Sequence, residues 1–186
     1  MRAISLSQIE HFIFPPRFPA FGLAGLTFEK RSMILAQSIS ECFLHSFPVS
    51  PQTLAFSDYY GGLYGIVKPR YKTGKQLSRD SIDHPEIYAE ILRIGKLVCK
   101  IPFSTIQLNK NLQTGPHRDA SNQGVSTLIS IGPYDGGEIA IQESPTSEKF
   151  NLYSAKFQPI EFDGSSLTHY NLPHTGTKYS LVFFNC

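Results

Sequence analysis

The sequence contains no tryptophan, only two methionines and only three cysteines in 186 residues. Cys42, Cys99 and Cys186 are odd in number and far apart, so they predict neither a disulfide framework nor a zinc knuckle. A reducing, intracellular compartment is therefore the expected location. No apolar run reaches the length of about 18 residues that a membrane-spanning helix needs. Charge and proline interrupt the N-terminal segment, so we expect no signal peptide and no membrane association.

An excess of charge of one sign is also lacking. The 17 basic and 15 acidic residues give a net charge of +2, which by itself does not predict binding to nucleic acid. The segment KPRYKTGKQLSR, residues 68–79, is an exception because it is basic and contains no acid. Its cations are Lys68, Arg70, Lys72, Lys75 and Arg79, and Tyr71 stands among them. This mixture suits a phosphate backbone and base stacking, and a solvated loop explains it equally well.

Two helices are predicted in the first hundred residues. The first covers Thr27–Ser46, where apolar residues recur near helical spacing before two prolines end the pattern. The second begins at Asp83, which we expect to cap it, with Pro85 in its first turn and Glu86 at capping-box spacing. It should run to about Cys99. Its apolar stripe consists of Ile87, Ile91, Ile94 and Val98.

After Pro102 the pattern changes to short strands separated by turn signals. The strand segments are FSTIQLNK, VSTLISIG, GEIAIQ, KFQPIEF and KYSLVFFN. Helices followed by a run of strands is an α+β order, and we expect a sandwich or jelly roll with the helices packed on one sheet. Residues 52–82 are polar and glycine-rich. We expect a loop there, with Tyr59, Tyr60 and Tyr64 in either the wall of a substrate pocket or a packed turn.

The segment Thr114–Asp119 contains a histidine and a carboxylate two residues apart. On a strand, side chains alternate between faces, so His117 and Asp119 would point to the same side and could bind one metal ion. A further histidine would complete the two-histidine, one-carboxylate triad that is typical of non-haem Fe(II) oxygenases. The pair alone is weak evidence, because a His–Asp hydrogen bond in an exposed turn also explains it.

The C-terminal segment makes a metal site the better interpretation. His169 is followed nine residues later by Lys178, at the start of an apolar strand. A cation buried there needs an anionic partner, and a dicarboxylate bound to the metal would supply one. Ser180 lies two residues further along the same strand face and could donate its hydroxyl to that carboxylate.

The order of motifs in residues 100–186 resembles that of the Fe(II)/2-oxoglutarate-dependent dioxygenases. The matching residues are His117, Asp119, Gly136–Glu138, Phe162–Gly164, His169, Pro173 and Lys178–Ser180. Within that superfamily the sequence is most similar to the TET/JBP branch, which hydroxylates the methyl group of thymine or 5-methylcytosine in nucleic acid. The prolyl-hydroxylase branch is the nearest alternative. The resemblance implies a double-stranded β-helix fold, Fe(II), the cosubstrate 2-oxoglutarate and O2.

The resemblance also implies roles for individual residues. Iron would be held by His117, Asp119 and His169, and His169 is preferred to His174 because Pro173 then falls in the His-xxx-Pro motif. His174 would lie at the rim of the pocket. Lys178 would bind the distal carboxylate of 2-oxoglutarate. The TET/JBP branch often has arginine at this position, whereas the prolyl-hydroxylase branch often has lysine.

Three further polar residues near the motif are open to two interpretations each. Asn109 could hydrogen-bond the cosubstrate or a base, or could simply begin a turn at the edge of a sheet. Asn122 could contact substrate or form an Asx-turn. Arg118 should point away from the metal, where a structural salt bridge is a better explanation than catalysis.

We therefore expect one dioxygenase domain over 1–186, active as a monomer, with helical support and a substrate loop in 1–100 and the jelly-roll core in 101–186. Hydroxylation of a 5-methylpyrimidine in DNA is the primary hypothesis. Residues Lys68, Arg70, Tyr71, Lys72, Asn122 and His174 are its candidate substrate contacts. A protein or peptide hydroxylase, of prolyl type, is the alternative. A jelly-roll binding module without activity is disfavoured by the intact metal-ligand motif.

Overall fold

The computed structural model describes residues 60–69 and 73–186. The predicted helix Thr27–Ser46 lies outside the described residues, as do Tyr59 and three residues of the basic segment, Arg70, Tyr71 and Lys72. The expected N-terminal helical support therefore stays a prediction.

The described residues form antiparallel sheets with two helices. In chain order the elements are β1 (Tyr60–Val67), β2 (Gln76–Leu77), α1 (Arg79–Asp83), α2 (Pro85–Val98), β3 (Thr105–Lys110), β4 (Ser126–Ile131), β5 (Tyr134–Gly136), β6 (Ile139–Gln142), β7 (Phe150–Tyr153), β8 (Ile160–Phe162), β9 (His169–Asn171), β10 (His174–Gly176) and β11 (Tyr179–Phe184). Neither described helix is long and apolar enough to cross a membrane.

Three sheets are present in the described part of the chain. A six-stranded sheet has the order β2-β1-β3-β11-β4-β8, a three-stranded sheet the order β7-β6-β9, and a two-stranded sheet pairs β10 with β5. Every pairing between these strands is antiparallel. Strands distant in sequence are neighbours, as when β11 lies between β3 and β4. Antiparallel sheets with few helices are consistent with the predicted α+β jelly roll.

Two apolar clusters hold these layers together. The larger cluster joins α2 to one face of the six-stranded sheet, and its buried members include Ile91, Ile106, Leu181 and Phe183. The smaller joins the six-stranded sheet to the three-stranded one; its buried members are Leu128, Ile139, Ile141, Ala155 and Phe162. Side chains alternate along β11. Leu181 and Phe183 point to the helix, whereas Ser180, Val182 and Phe184 point to the other side of the sheet.

The start of the second predicted helix requires one correction. The isoleucines of its apolar stripe are buried as expected, and Val98 is half-buried. The helix ends at Val98, beside the predicted Cys99. Asp83, however, does not cap it. The N-cap is His84, which makes no side-chain capping bond, and Pro85 is the first helical residue. Asp83 instead ends α1, where its carboxylate accepts a 2.7 Å bond from Arg79.

Residues 60–67 form a strand rather than the predicted loop. Tyr64 is fully buried in the larger cluster, so of the two environments considered for it the packed one is observed. The edge of β1 is covered by α1, because the Leu63 N–H donates to Asp80 and the Gly65 N–H donates to Ser81. These bonds to a following helix satisfy backbone groups in a strand whose glycines suggested a turn.

We expect Gly95→Ala to destabilise the fold. A Cβ at this buried position of α2 would lie 2.4 Å from Phe103 Cζ and 2.5 Å from Phe183 Cε1. Overpacking of this kind costs about 1–3 kcal/mol, which exceeds the gain of about 1 kcal/mol from replacing glycine in a helix. Chemical denaturation should show a free energy of unfolding that is lower by up to about 2 kcal/mol.

The control is Lys96→Ala at the exposed neighbouring position of α2, which should change that free energy by less than about 0.5 kcal/mol. A Gly95→Ala protein at least as stable as the unaltered chain would contradict the described packing of α2.

Candidate metal centre

The two histidines at the centre of the site are paired through their backbones. The His117 N–H donates to the His169 carbonyl at 3.1 Å, and the His169 N–H donates to the His117 carbonyl at 3.0 Å. Such a pair in an antiparallel ladder places both side chains on one face, and the two ring centroids are 4.4 Å apart. The expected strand around His117 is wrong in extent, because His117 forms an isolated bridge beside β9 rather than part of a longer strand.

Asp119 completes a group of three possible metal ligands. Its N–H donates to the Gly164 carbonyl at 2.8 Å. Its Oδ1 lies 3.7 Å from His117 Nε2, and its Oδ2 lies 3.5 Å from His169 Nε2. One ligand atom from each residue lies within 4.8 Å of the other two, so the group could hold a metal ion. A set of this composition leaves the remaining coordination positions open.

Backbone carbonyls orient both imidazole rings. Nδ1 of His117 is 2.8 Å from the Gly115 carbonyl, and Nδ1 of His169 is 3.0 Å from the Leu167 carbonyl. A proton on each Nδ1 satisfies these acceptors and leaves the Nε2 lone pair free to bind a cation near Asp119.

The centre favours positive charge at His169. Burial by itself would lower the pKa of His169, but the hydrogen bonds with Asp119 and the Leu167 carbonyl, and the charge of Asp119, raise the pKa above its ordinary value. The carboxylate that stabilises a proton on His169 Nε2 would also stabilise a metal cation there. The donor set therefore fits a divalent ion such as Fe(II).

Two neighbours shape the position of Asp119. A Cβ on Gly164 would lie 3.2 Å from Asp119 Oδ2 and 3.4 Å from His169 Cε1, so glycine leaves the room that these side chains occupy. The Asn122 amide donates to Asp119 Oδ2 at 3.4 Å and to Ser126 Oγ at 3.3 Å. Asn122 thus supports the carboxylate, a contact that neither interpretation of the sequence included.

A cavity of about 330 Å³ lies between the six-stranded and three-stranded sheets beside this group. Its lining residues are Gln107, Asn109, Leu112, Thr114, His117, Asp119, Asn122, Leu128, Ile139, Phe162, His169, Asn171, Ser180, Val182 and Phe184. Asn109, Asn122 and Ser180, singled out from the sequence, therefore face the same space as the three candidate ligands.

Sequence reasoning missed Gln107, which also lines this cavity and donates to Asn109 Oδ1 at 2.9 Å. The alternation of side chains along the predicted strand could have identified it, because it lies two residues before Asn109. Asn171 and Thr114 were missed as well. They join β9 to the segment before His117 through a 3.3 Å side-chain bond, which only the fold brings together.

Lys178 is buried beside the cavity without being one of its lining residues. Its ammonium donates to the Gly137 carbonyl and lies 5.4 Å from the centroid of the Tyr134 ring. Burial lowers its pKa, and the charge of Glu138 opposes that effect. No carboxylate of the described residues forms an ion pair with it.

His174 lies away from the three candidate ligands. It is in β10, opposite Gly136, and its ring centroid is 6.2 Å from that of Tyr134. Burial, followed by the charge of Lys178, lowers its pKa. His174 is not among the residues that line the cavity, so its predicted place at the rim has no support from a cavity contact.

Arg118 points away from the metal group, as expected, but its hydrogen-bond partners are neutral. Its guanidinium donates to Thr168, Gln142 and the Pro145 carbonyl. The predicted salt bridge is therefore replaced by a polar network.

In the basic segment, Lys68 and Lys75 are exposed. Arg79 forms an ion pair with Asp83.

Comparison with known proteins identifies the fold. No family model matches the sequence, and no curated protein matches it. Among solved structures, an oxidoreductase of the 2OG-Fe(II) oxygenase family from Burkholderia pseudomallei aligns over 68% of this chain and 68% of its own, with a TM-score of 0.50 and 21% identity. NgTET1 in complex with 5mC DNA aligns over 80% of this chain and 68% of its own, with a TM-score of 0.53 and 16% identity. The chain has the fold of the 2OG-Fe(II) oxygenases.

We expect His169→Ala to weaken Fe(II) binding by more than about 100-fold, the upper end of what the loss of a supporting residue costs a metal site. The substitution removes one of the three candidate ligand atoms. His174→Ala removes a histidine outside the group and should leave the affinity unchanged. Anaerobic titration with Fe(II) measures both. Loss of binding in His174→Ala, with binding kept in His169→Ala, would show that His174 and not His169 is the third ligand.

Proposed function

We propose that this chain is an Fe(II)/2-oxoglutarate-dependent dioxygenase that hydroxylates the methyl group of a 5-methylpyrimidine in DNA. The observation that carries the proposal is the group of His117, Asp119 and His169, formed within a fold of the 2OG-Fe(II) oxygenases. Fe(II) bound there, with 2-oxoglutarate and O2, supplies the oxidation that converts a substrate C–H bond to C–OH.

The protein's own residues would hold the ion. His117 and His169 present Nε2 because their Nδ1 atoms face carbonyls, and Asp119 is held by Asn122 and the Gly164 carbonyl. Apolar side chains line much of the remaining wall. They are Leu112, Leu128, Ile139, Phe162, Val182 and Phe184.

The cosubstrate site is assigned to Lys178, Ser180 and Asn109. Lys178 is a buried cation with no ion-pair partner among the described carboxylates, so an anionic ligand would offset its cost of burial. Ser180 and Asn109 are directly paired on neighbouring strands and both line the cavity. A dicarboxylate between Lys178 and the metal group would find hydroxyl and amide donors along its length.

The choice of a DNA base as substrate is supported by the sequence resemblance to the TET/JBP branch and by the fold shared with NgTET1, whose solved complex contains 5mC DNA. The cavity, at about 330 Å³, is at the small end of ligand sites. Because a base in a duplex is stacked and paired, it would have to be flipped out of the helix to enter this cavity. Asn122 is the proposed base contact at the metal group. The proposed contacts with the DNA backbone are Lys68, Arg70, Tyr71 and Lys72, and His174 is a further proposed substrate contact.

A protein or peptide hydroxylase is the second candidate. The observation that favours it is Lys178, because lysine at this position is common in the prolyl-hydroxylase branch that the sequence also resembles. Lysine offers a point charge rather than the bidentate fork of arginine, and the cosubstrate proposal holds for either substrate class.

The direct test is product analysis. Protein loaded with Fe(II) and 2-oxoglutarate should convert 5-methylcytosine or thymine in DNA to the 5-hydroxymethyl base, measured by mass spectrometry of the released nucleosides. Asp119→Ala should abolish the product. Succinate formation without any modified base, together with the gain of one oxygen on a proline-containing peptide, would replace the DNA proposal with the second candidate.

The lowered pKa of Lys178 gives a dependence on pH. Because its pKa is lowered from the ordinary value of 10.5, Lys178 should lose its proton at a lower pH in the folded protein than in a free side chain. The affinity for 2-oxoglutarate should therefore fall as pH rises from neutral towards 10.5. Without 2-oxoglutarate, the free energy of unfolding should depend on pH in the opposite direction. The unfolded chain binds this proton more tightly, so the contribution of Lys178 to the free energy of unfolding rises over the same window.

Calorimetric titration with 2-oxoglutarate and urea denaturation, each repeated across that window, measure the two effects. Lys178→Arg is the control, since arginine keeps its charge throughout. If both proteins lose affinity for 2-oxoglutarate in parallel, Lys178 is not the group that titrates.

A further inference from the structure

Asn111 has an unusual backbone conformation at the end of β3. Its φ is 53°, in the left-handed region that few residues other than glycine adopt. Asparagine is among the side chains that tolerate this region. The conformation ends the ladder after Lys110, which pairs with Tyr179, and leads the chain into the segment that carries Leu112 and Thr114 to the cavity wall. The turn is therefore next to the proposed cosubstrate site.

Asn111 forms hydrogen bonds with both backbone polar groups of Lys178, its carbonyl and its N–H. The Asn111 N–H donates to the Lys178 carbonyl at 2.8 Å, and the Lys178 N–H donates to Asn111 Oδ1 at 2.8 Å. The side chain thus takes over from the backbone as the acceptor where the chain leaves the strand. Lys178 keeps its N–H paired although the regular ladder stops one residue earlier.

The ammonium of Lys178 has little room to move. Gly137 provides its hydrogen-bond acceptor, and a Cβ at Gly137 would lie 3.0 Å from Nζ. The preceding residue is held as well, because the Thr177 N–H donates to the Pro133 carbonyl at 2.9 Å. With the ammonium enclosed in this way, a shift of the Lys178 backbone would displace it, and the two hydrogen bonds from Asn111 restrain that backbone.

We propose that Asn111 is a positioning residue for 2-oxoglutarate, acting through Lys178. The inference rests on the assignment of Lys178 to the cosubstrate in the proposed function. It assigns to Asn111 a role in cosubstrate affinity and none in metal binding, because its side chain bonds to the Lys178 backbone and not to His117, Asp119 or His169.

The chemistry of the position restricts which residues can serve. Glycine adopts the backbone angle but offers no side-chain acceptor, whereas aspartate tolerates the angle and keeps an oxygen in place of Oδ1. Alanine provides neither. The pair Asn111→Gly and Asn111→Asp therefore separates the hydrogen bond from the turn.

The test is titration of 2-oxoglutarate into protein loaded with Mn(II), which binds without turnover. Asn111→Gly should raise the Kd for 2-oxoglutarate about tenfold, the effect of losing one hydrogen bond that places a charged group, and should leave the Kd for Mn(II) unchanged. Asn111→Asp should restore the affinity. In assays with Fe(II), the KM for 2-oxoglutarate should rise with kcat retained.

Asn185→Ala is the matched control. Asn185 also donates a side-chain bond to a backbone carbonyl, that of Pro102 at 2.9 Å, but it does not line the cavity or contact Lys178. It should leave the 2-oxoglutarate affinity unchanged. If Asn111→Gly does not fold, Asn111→Ser replaces it, because the shorter hydroxyl does not reach the Lys178 N–H, and the same loss is expected.

A double-mutant cycle separates this inference from the proposed function. Because Asn111 acts through Lys178, adding Asn111→Gly to Lys178→Met should cause no further loss of affinity. Additive losses, or an Asn111→Gly protein that binds 2-oxoglutarate normally, would overturn the positioning role. Normal binding by Lys178→Met alone would instead refute the cosubstrate assignment in the proposed function.

Discussion

The site depends on the pair of backbone hydrogen bonds between His117 and His169. These bonds join the segment before β4 to the edge strand β9, and they place two imidazoles on one face at a fixed separation. Asp119 follows two residues later and is held by the carbonyl of Gly164. A loss of register here would separate the ligand atoms, because a shift of one residue turns each side chain to the opposite face.

The same strands provide stability on one face and chemistry on the other. Along β11, Leu181 and Phe183 enter the cluster beneath α2, while Ser180 and Val182 face the cavity. The β11 side of the cavity is therefore built on a strand of the six-stranded sheet. Lys178 is the costly exception, since a buried ammonium without an ion-pair partner among the described carboxylates destabilises the fold. In the proposed function a carboxylate ligand would offset that cost, which would couple stability to cosubstrate binding at this residue.

Much of the fold and of the site follows from local sequence patterns. The period of two in FSTIQLNK and KYSLVFFN places Asn109 and Ser180 on the cavity face, and the stripe of isoleucines in α2 is buried as its spacing predicts. Long-range contacts explain the failures. The glycines of β1 suggested a loop, yet Asp80 and Ser81 cover that strand. Asn111 could not be identified, because its partner Lys178 is 67 residues away.

The central claim is that His117, Asp119 and His169 hold iron at the cavity and that Lys178, buried beside that cavity, binds the distal carboxylate of 2-oxoglutarate. A crystal structure of the protein grown anaerobically with Fe(II) and 2-oxoglutarate tests it most directly. Anomalous scattering at the iron edge should give one strong peak within coordination distance of both Nε2 atoms and the Asp119 carboxylate, with 2-oxoglutarate extending from it to the Lys178 ammonium. Iron bound elsewhere, or a cosubstrate carboxylate distant from Lys178, would contradict the account.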